Sequence, residues 1–511
     1  MNFATEVDAA ARDAPDALAV ADPDRGLTYR EFARETAAFA DALDGLGVVA
    51  GDRVALYLSS SVPFLSAYLG AMKRGAVPVP VNLRLTVHQI DALLEDIGAT
   101  AVVTDGRVES AAAALDVSTL EHTVVANGDR GLSYEDLVAD ADGGYDPVPR
   151  KDYELAEILY TRGTTGEPKP VMHTHGAIAA SARATGHYCE WSRHEVGLTV
   201  CPCFHAVGLH GTATPLVTAG ATNHFPGEWD ESVLELIDDR GVTVTAVVPS
   251  MLADVLDHGT GGYDLSSLAQ VIVTGGPLPT ERIEAAADAL GCDVVVAYGT
   301  TETMPLTALS RPGEDLPPNS AGRPAAGVVD LRVEDPRTGS RVEAGGTGEL
   351  LWSGDTVTPG YWESPADNDD LFVERDGEYW LRSGDLGRLE DGVLVVEDRL
   401  RDAVLTDEGV VSTGDVEEVI YEFDGVGVAA VVDATAERGE TDLRALVQRG
   451  PDPPTAAEIK DRCRDRLDAH EVPDAVEFTD RLPASALRAM NARSRDGGDW
   501  FDQTGGREAG P

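Results

Sequence analysis

The sequence predicts an α/β protein: a large N-terminal domain of doubly wound α/β subdomains with a small β-barrel-like part, then a small C-terminal α+β domain. Three observations carry this. In the N-terminal part, short apolar runs rich in Val, Ile and Leu alternate with helical stretches. From Gly348 to Asp398 the pattern becomes β-rich and broken by many turns. A last block, 399–495, combines two clear strands with a helix. The expected domains are therefore 1–397 and 398–495, and the Gly- and Asp-rich tail 496–511 is expected to be disordered.

In chain order, residues 3–14 read as a short helix. A second begins at Thr28-Tyr29-Arg30-Glu31, where Thr28 suits an N-cap and Glu31 the capping-box position three residues on. Val54–Leu58 is a buried-strand run, followed by a helix over 62–74, the strand Val77–Val81, and Ala101–Asp105 as a strand ending in a turn. A polar connection over 134–151 leads to Ile158-Leu159-Tyr160, a strand end. Val244–Pro249, Val271–Leu278 and Val294–Thr303 are further strands running into turns. In the last block, Val426–Val432 and Leu443–Gln448 read as strands and Thr455–Asp468 as a helix.

Composition bounds the function classes. The 511 residues carry a formal charge of −49, with 89 acidic against 40 basic residues. Lysine is nearly absent, occurring only at 73, 151, 169 and 460, and the acids are spread along the chain rather than run together in a tail. Such a surface suits a high-salt cytoplasm, where the Debye length falls to about 3 Å at 1 M salt and self-repulsion is screened. The same charge argues against nucleic acid as a partner. Five cysteines without a second pair at zinc spacing read as buried thiols. No signal-peptide pattern and no membrane-length apolar run occur, so a soluble cytoplasmic protein is expected.

The chain is organised around Ile158–His175. After the strand end come Thr161, Gly163, Thr164, Thr165 and Gly166, then Glu167-Pro168-Lys169. Glycines let backbone N–H groups approach a ligand, threonine hydroxyls add donors, and a lysine adds a point charge suited to phosphate. A polyphosphate fits this loop, although it lacks the spacing of a Walker A motif.

The stretch resembles the phosphate-loop signature of the adenylate-forming superfamily, which includes acyl-CoA synthetases, peptide-synthetase adenylation domains and luciferases. That signature usually reads Tyr-Thr-Ser-Gly-Thr-Thr-Gly-x-Pro-Lys-Gly-Val; here Arg162 replaces Ser and Pro170 replaces Gly. The resemblance extends from residue 1 to about residue 490. It implies that Cys203–Leu209, with His205, lies beside the acyl pocket, and that Gly275-Gly276-Pro277 leaves room for adenine. In Tyr298-Gly299-Thr300-Thr301-Glu302 it implies stacking on adenine by Tyr298. Thr301 and Glu302 would meet the α-phosphate and Mg²⁺, with Thr165 as a second metal-side residue. Asp385, in Arg382–Leu386, would accept the ribose hydroxyls, Arg399 would reach the ribose, and Asp398–Asp402 would be the hinge with Arg401 at the swivel.

The implied reaction is ATP-dependent activation of a fatty or related carboxylic acid to an acyl adenylate, then transfer to coenzyme A. Lys169, Thr301, Glu302 and His205 are its catalytic candidates. Three further departures stand out. Glu408 occupies the second glycine position of the loop after the hinge, and Arg488 and Ala489 stand where relatives carry Gly and the C-terminal catalytic Lys. Two alternatives stay open: a member that binds nucleotide or acyl adenylate with little turnover, and an adenylating enzyme that hands its acyl group to a carrier protein or an amine.

Overall fold

The computed structural model describes residues 1–141, 143–161, 168–227, 229–230, 232–276, 280–314, 316–317, 320–406, 410–423, 425–433, 443–451, 453–467 and 469–479. They form two compact units: Met1–Asp330 with Ser353–Tyr379, and Leu331–Trp352 with Trp380–Pro511.

The first unit holds two extended sheets. One is fully parallel, with neighbours in the order Val77–Pro80, Arg53–Tyr57, Ala99–Asp105, His122–Ala126 and Leu132–Ser133. In the other, a parallel centre runs through Asp293–Thr300, Gln270–Val273, Val244–Val247, Val196–Leu198, Thr222–His224 and Leu18–Ala21. Antiparallel strands close its two edges. Apolar runs of Val, Ile and Ala supply these strands because both faces are covered by helices.

Local chemistry sets the helices. Thr28 and Glu31 form the expected capping box at the start of Tyr29–Gly45. Val62–Arg74 starts where the Ser61 hydroxyl accepts from the Phe64 N–H and stops at Gly75, whose φ of 79° is left-handed. All but its last residue is buried, so it serves as the spine of the main core with Phe32, Phe39 and Tyr134. Within Val271–Leu278 the strand ends at Val273 and runs into the expected turn, where Gly275 takes φ 88°.

In the second unit, Gly348–Gly354, Glu378–Glu390 and Val393–Arg399 run antiparallel. A separate sheet of Val426–Asp433, Leu443–Arg449 and Ala475–Thr479 packs with helices Thr413–Tyr421 and Ala456–Arg466 on a core that includes Val416, Ile420, Val431, Ala445, Val447 and Ile459. Thr455, the expected first residue of the second helix, is its N-cap through another capping box, and the helix itself runs Ala456–Arg466. Cys189, Cys201, Cys203 and Cys463 are buried free thiols, while Cys292 is half-buried. Among the described residues no helix is long and apolar enough to cross a membrane.

Candidate active site

The phosphate-loop candidates hang on an antiparallel hairpin of Leu155–Tyr160 and Pro170–Thr174. At its open end Thr161 and Lys169 are tied twice. The Thr161 N–H donates to the Lys169 carbonyl at 2.9 Å, and the Lys169 N–H donates to Thr161 Oγ1 at 3.0 Å. Gly163, Thr164, Thr165 and Gly166, with Arg162, lie outside the described residues, as do Pro277, Glu408, Arg488 and Ala489. The Lys169 ammonium pairs with Asp367 Oδ1 at 2.7 Å and lies 5.0 Å from the centre of the Tyr361 ring.

Tyr361 reaches the site because residues 360–362 lie along the outer side of the hairpin. The Met172 N–H donates to the Gly360 carbonyl at 3.0 Å, and the Trp362 N–H to the Pro170 carbonyl at 2.8 Å. The Tyr361 hydroxyl then donates to Glu302 Oε1 at 2.8 Å. Burial and the facing carboxylate push that phenol well above its ordinary pKa, so it remains a donor. Lysine, phenol and carboxylate thus form one continuous set of contacts.

Glu302 sits on the turn after the strand Asp293–Thr300, whose parallel neighbour Gln270–Val273 leads into Gly275 and Gly276. Both strands end on the same sheet edge, where parallel α/β sheets place their ligands. Tyr298 is half-buried at this edge and pairs with Ala308 across the next strand. The turn is tightly built. A Cβ on Gly299 would lie 2.1 Å from the Met304 carbonyl oxygen, so only glycine fits. Met304 is buried at φ 71°, a conformation costly for a residue with a side chain and one that clusters at functional sites. The Thr300 N–H donates to Thr303 Oγ1 at 3.1 Å, and the Thr358 N–H to the Glu302 carbonyl at 2.8 Å. Thr301 and Glu302 remain half-buried.

His205 precedes the short helix Ala206–Gly208 and packs edge-on against Phe204, ring centres 4.6 Å apart. In the second unit Asp385 and Arg399 face each other on adjacent strands, with Arg399 Nη1 2.8 Å from Asp385 Oδ1. The Asp385 N–H donates to Ser383 Oγ at 3.0 Å.

Behind the hairpin lies a cluster that motif reading missed. Glu157, His173 and His210 are wholly buried. Glu157 Oε1 lies 2.7 Å from His173 Nδ1 and 2.5 Å from His210 Nε2, and its Oε2 accepts from the Tyr68 hydroxyl at 2.8 Å. The sequence signal was a carboxylate inside the apolar run Leu155–Tyr160.

The AMP-binding enzyme family matches residues 7–362, and the AMP-binding enzyme C-terminal domain matches residues 415–487. The chain is 32% identical over 481 residues to a feruloyl-CoA synthase of Amycolatopsis sp, covering 93% of this chain and 94% of that one. It is 30% identical over 508 residues to the fatty acid–[acyl-carrier-protein] ligase ScoC of Streptomyces coeruleorubidus, covering 96% and 95%. The solved structure of ATP-bound MatB from Rhodopseudomonas palustris matches with a TM-score of 0.80 at 26% identity, covering 97% of this chain and 99% of that one.

Proposed function

The chain belongs to the AMP-binding enzyme family, and from that premise we propose that it is an AMP-forming acid–thiol ligase. In the first half-reaction a carboxylate oxygen of the acid attacks the α-phosphorus of ATP. The bond to pyrophosphate breaks, and an acyl adenylate forms. In the second, the sulfur of coenzyme A attacks the acyl carbon and displaces AMP, and the thiol proton leaves to solvent or a base. Two anions must meet in the first step, so the site has to offset their repulsion.

The observation that carries this reading is the run of contacts from Lys169 through Tyr361 to Glu302, at the mouth of the Thr161–Lys169 hairpin. We assign Lys169 and Thr161, with Thr164, Thr165, Gly163 and Gly166, to the phosphates. Tyr298, Gly299, Thr300, Gly275, Gly276 and Pro277 are assigned to the base side, Asp385 and Arg399 to the ribose, and His205 to the acyl side. Glu302 fits a magnesium ion. Tyr361 occupies its Oε1, and its Oε2 has no protein partner among the described residues. Thr165 is the second candidate ligand. When bound, the ion would supply positive charge beside the developing phosphate charge. We place the small domain's start at Asp398 and the enzyme in the cytoplasm, in agreement with its acidic, lysine-poor composition.

The test is a panel of carboxylic acids screened for ATP-dependent pyrophosphate release, with and without coenzyme A, in molar KCl. At least one acid should give release, and coenzyme A should yield AMP and a thioester. ATP binding without release on any acid would replace this reading with that of a nucleotide-binding protein. A carrier-protein acceptor is favoured by one observation, the relative named as an acyl-carrier-protein ligase. Thioester formation on a pantetheinylated carrier but not on coenzyme A would establish it.

A further inference from the structure

The Glu157–His173–His210 cluster takes no part in the reaction as assigned above, yet one of its members touches the turn that does. His173 stands directly across the hairpin from Glu157 and gives Nδ1 to its carboxylate. Its other nitrogen, Nε2, lies 2.7 Å from the carbonyl oxygen of Thr301. The ring therefore bridges the buried carboxylate of one strand and the backbone of the turn. His210 makes no such bridge to the turn: its Nδ1 faces the Thr214 hydroxyl at 3.2 Å.

We propose that His173, held between Glu157 and the Thr301 carbonyl, is a positioning residue of the nucleotide site that fixes the turn presenting Thr301 and Glu302. This rests on the ligase reading of that turn. Burial opposes ionisation of Glu157, but the charges and hydrogen bonds of His210 and His173 outweigh it and hold the carboxyl well below its usual range. A buried ion pair of this kind gives little net stability over an apolar replacement, so a positional role accounts better for its presence. The other bonds of the turn fall on its flanks: the Thr300 N–H on Thr303 Oγ1, the Thr307 hydroxyl on Thr303, and the Thr358 N–H and Tyr361 hydroxyl on Glu302, whereas His173 holds the carbonyl of Thr301 between them. The same three side chains could in principle ligate a metal. However, tetrahedral ligand atoms sit roughly 3.3 Å apart around zinc, and Glu157 Oε1 is far closer than that to both nitrogens.

The test uses the full chain with His173→Gln, Glu157→Gln, the paired Glu157→Gln/His173→Leu, and Tyr68→Phe as a control. Tyr68→Phe removes a buried bond to Glu157 without touching Thr301. Calorimetry gives the Kd of MgATP, pyrophosphate release gives KM and kcat, and thermal melting gives stability. His173→Gln and Glu157→Gln should raise Kd and KM for MgATP about tenfold or more, as expected for losing a hydrogen bond in a network built on a charged carboxylate. Tyr68→Phe should lower the melting temperature while leaving Kd within about twofold. Should a single variant fail to fold, the paired variant removes the buried charges together and regains stability, but not MgATP affinity. Equal weakening by Tyr68→Phe, or wild-type affinity in the paired variant, would overturn the proposal. So would a stoichiometric metal, found by elemental analysis of the wild-type protein and lost with His173. Because calorimetry needs no turnover, absence of acid-dependent release would remove the ligase reading and leave this one to be judged separately.

Discussion

If Lys169 serves the phosphates, its resting partner Asp367 competes with ATP. The two side chains are 37% and 42% exposed, so their 2.7 Å pair is a surface ion pair, of a kind worth about 0.2–1 kcal/mol. The Tyr361 face adds about 0.5–1 kcal/mol at such a site. A charge-assisted bond from lysine to phosphate is worth about 1.5–3 kcal/mol, so ATP should win Lys169 from Asp367. Lys169→Met should therefore weaken MgATP binding by about 10- to 150-fold, at roughly 1.4 kcal/mol per decade. Asp367→Asn releases the ammonium and should tighten binding by up to about fivefold, the upper limit of a surface pair. Calorimetry of MgATP with each variant, in dilute and in molar KCl, reads both effects, and the Asp367→Asn gain should shrink in molar salt as the pair is screened. Unchanged affinity in Lys169→Met would remove the lysine from the phosphate site. A loss in Asp367→Asn comparable to that of Lys169→Met would make Asp367 a support for the lysine rather than its competitor.

Four further outcomes are expected. Asp385→Ala should cost about 1.5–3 kcal/mol of ATP affinity by removing the ribose acceptor, and an isotherm like that of wild type would end that assignment. Asp415 is pushed up to about 6 by burial and by Asp398, Glu471 and Glu418. A carboxyl raised above its unfolded value keeps its proton longer in the native state, so its contribution falls as pH rises from about 4 to 6. Asp415→Asn should then stabilise the second unit on the order of 1 kcal/mol above pH 6, after discounting for screening, and not at all near pH 4; an equal gain at both pH values would contradict the cause given. Dilution from molar KCl should lower the melting temperature, because −49 charges lose their screening; a flat melting temperature across salt would speak against a halophilic surface. Restoring the usual C-terminal residues with Arg488→Gly/Ala489→Lys should speed pyrophosphate release tenfold or more, the lower part of the roughly 10²–10³ span for such a donor; no gain would mean that another group already does that work.

What could be read from the sequence was local. The Thr28–Glu31 capping box and the helix 62–74 announce themselves within a few residues. The Thr161–Lys169 and Tyr298–Glu302 runs are likewise contiguous, so their chemistry is visible without coordinates. What stayed hidden depends on strand register and distance in sequence. Glu157 looked like one polar residue in an apolar strand. It becomes intelligible only when the hairpin register sets it opposite His173, and when His210, 53 residues further on, closes the other side. Tyr361 and Asp367 were invisible as partners of Glu302 and Lys169 because 59 and 198 residues separate them.

The placement of residues 358–362 against the hairpin also dictates an order of assembly. The hairpin strands themselves are close neighbours in sequence and can pair soon after synthesis. The Thr358 hydroxyl, however, donates to the Met172 carbonyl across 186 residues, and Tyr361 follows three positions later. At about 5–20 residues per second, some 10–40 s of translation separate the two halves of this contact. Throughout that interval a nascent chain carries the hairpin and, later, Glu302, but not the phenol that joins them. Nucleotide binding by ribosome-bound chains should therefore appear only once residue 362 has cleared the exit tunnel, which makes ATP a late ligand rather than a folding template for this unit.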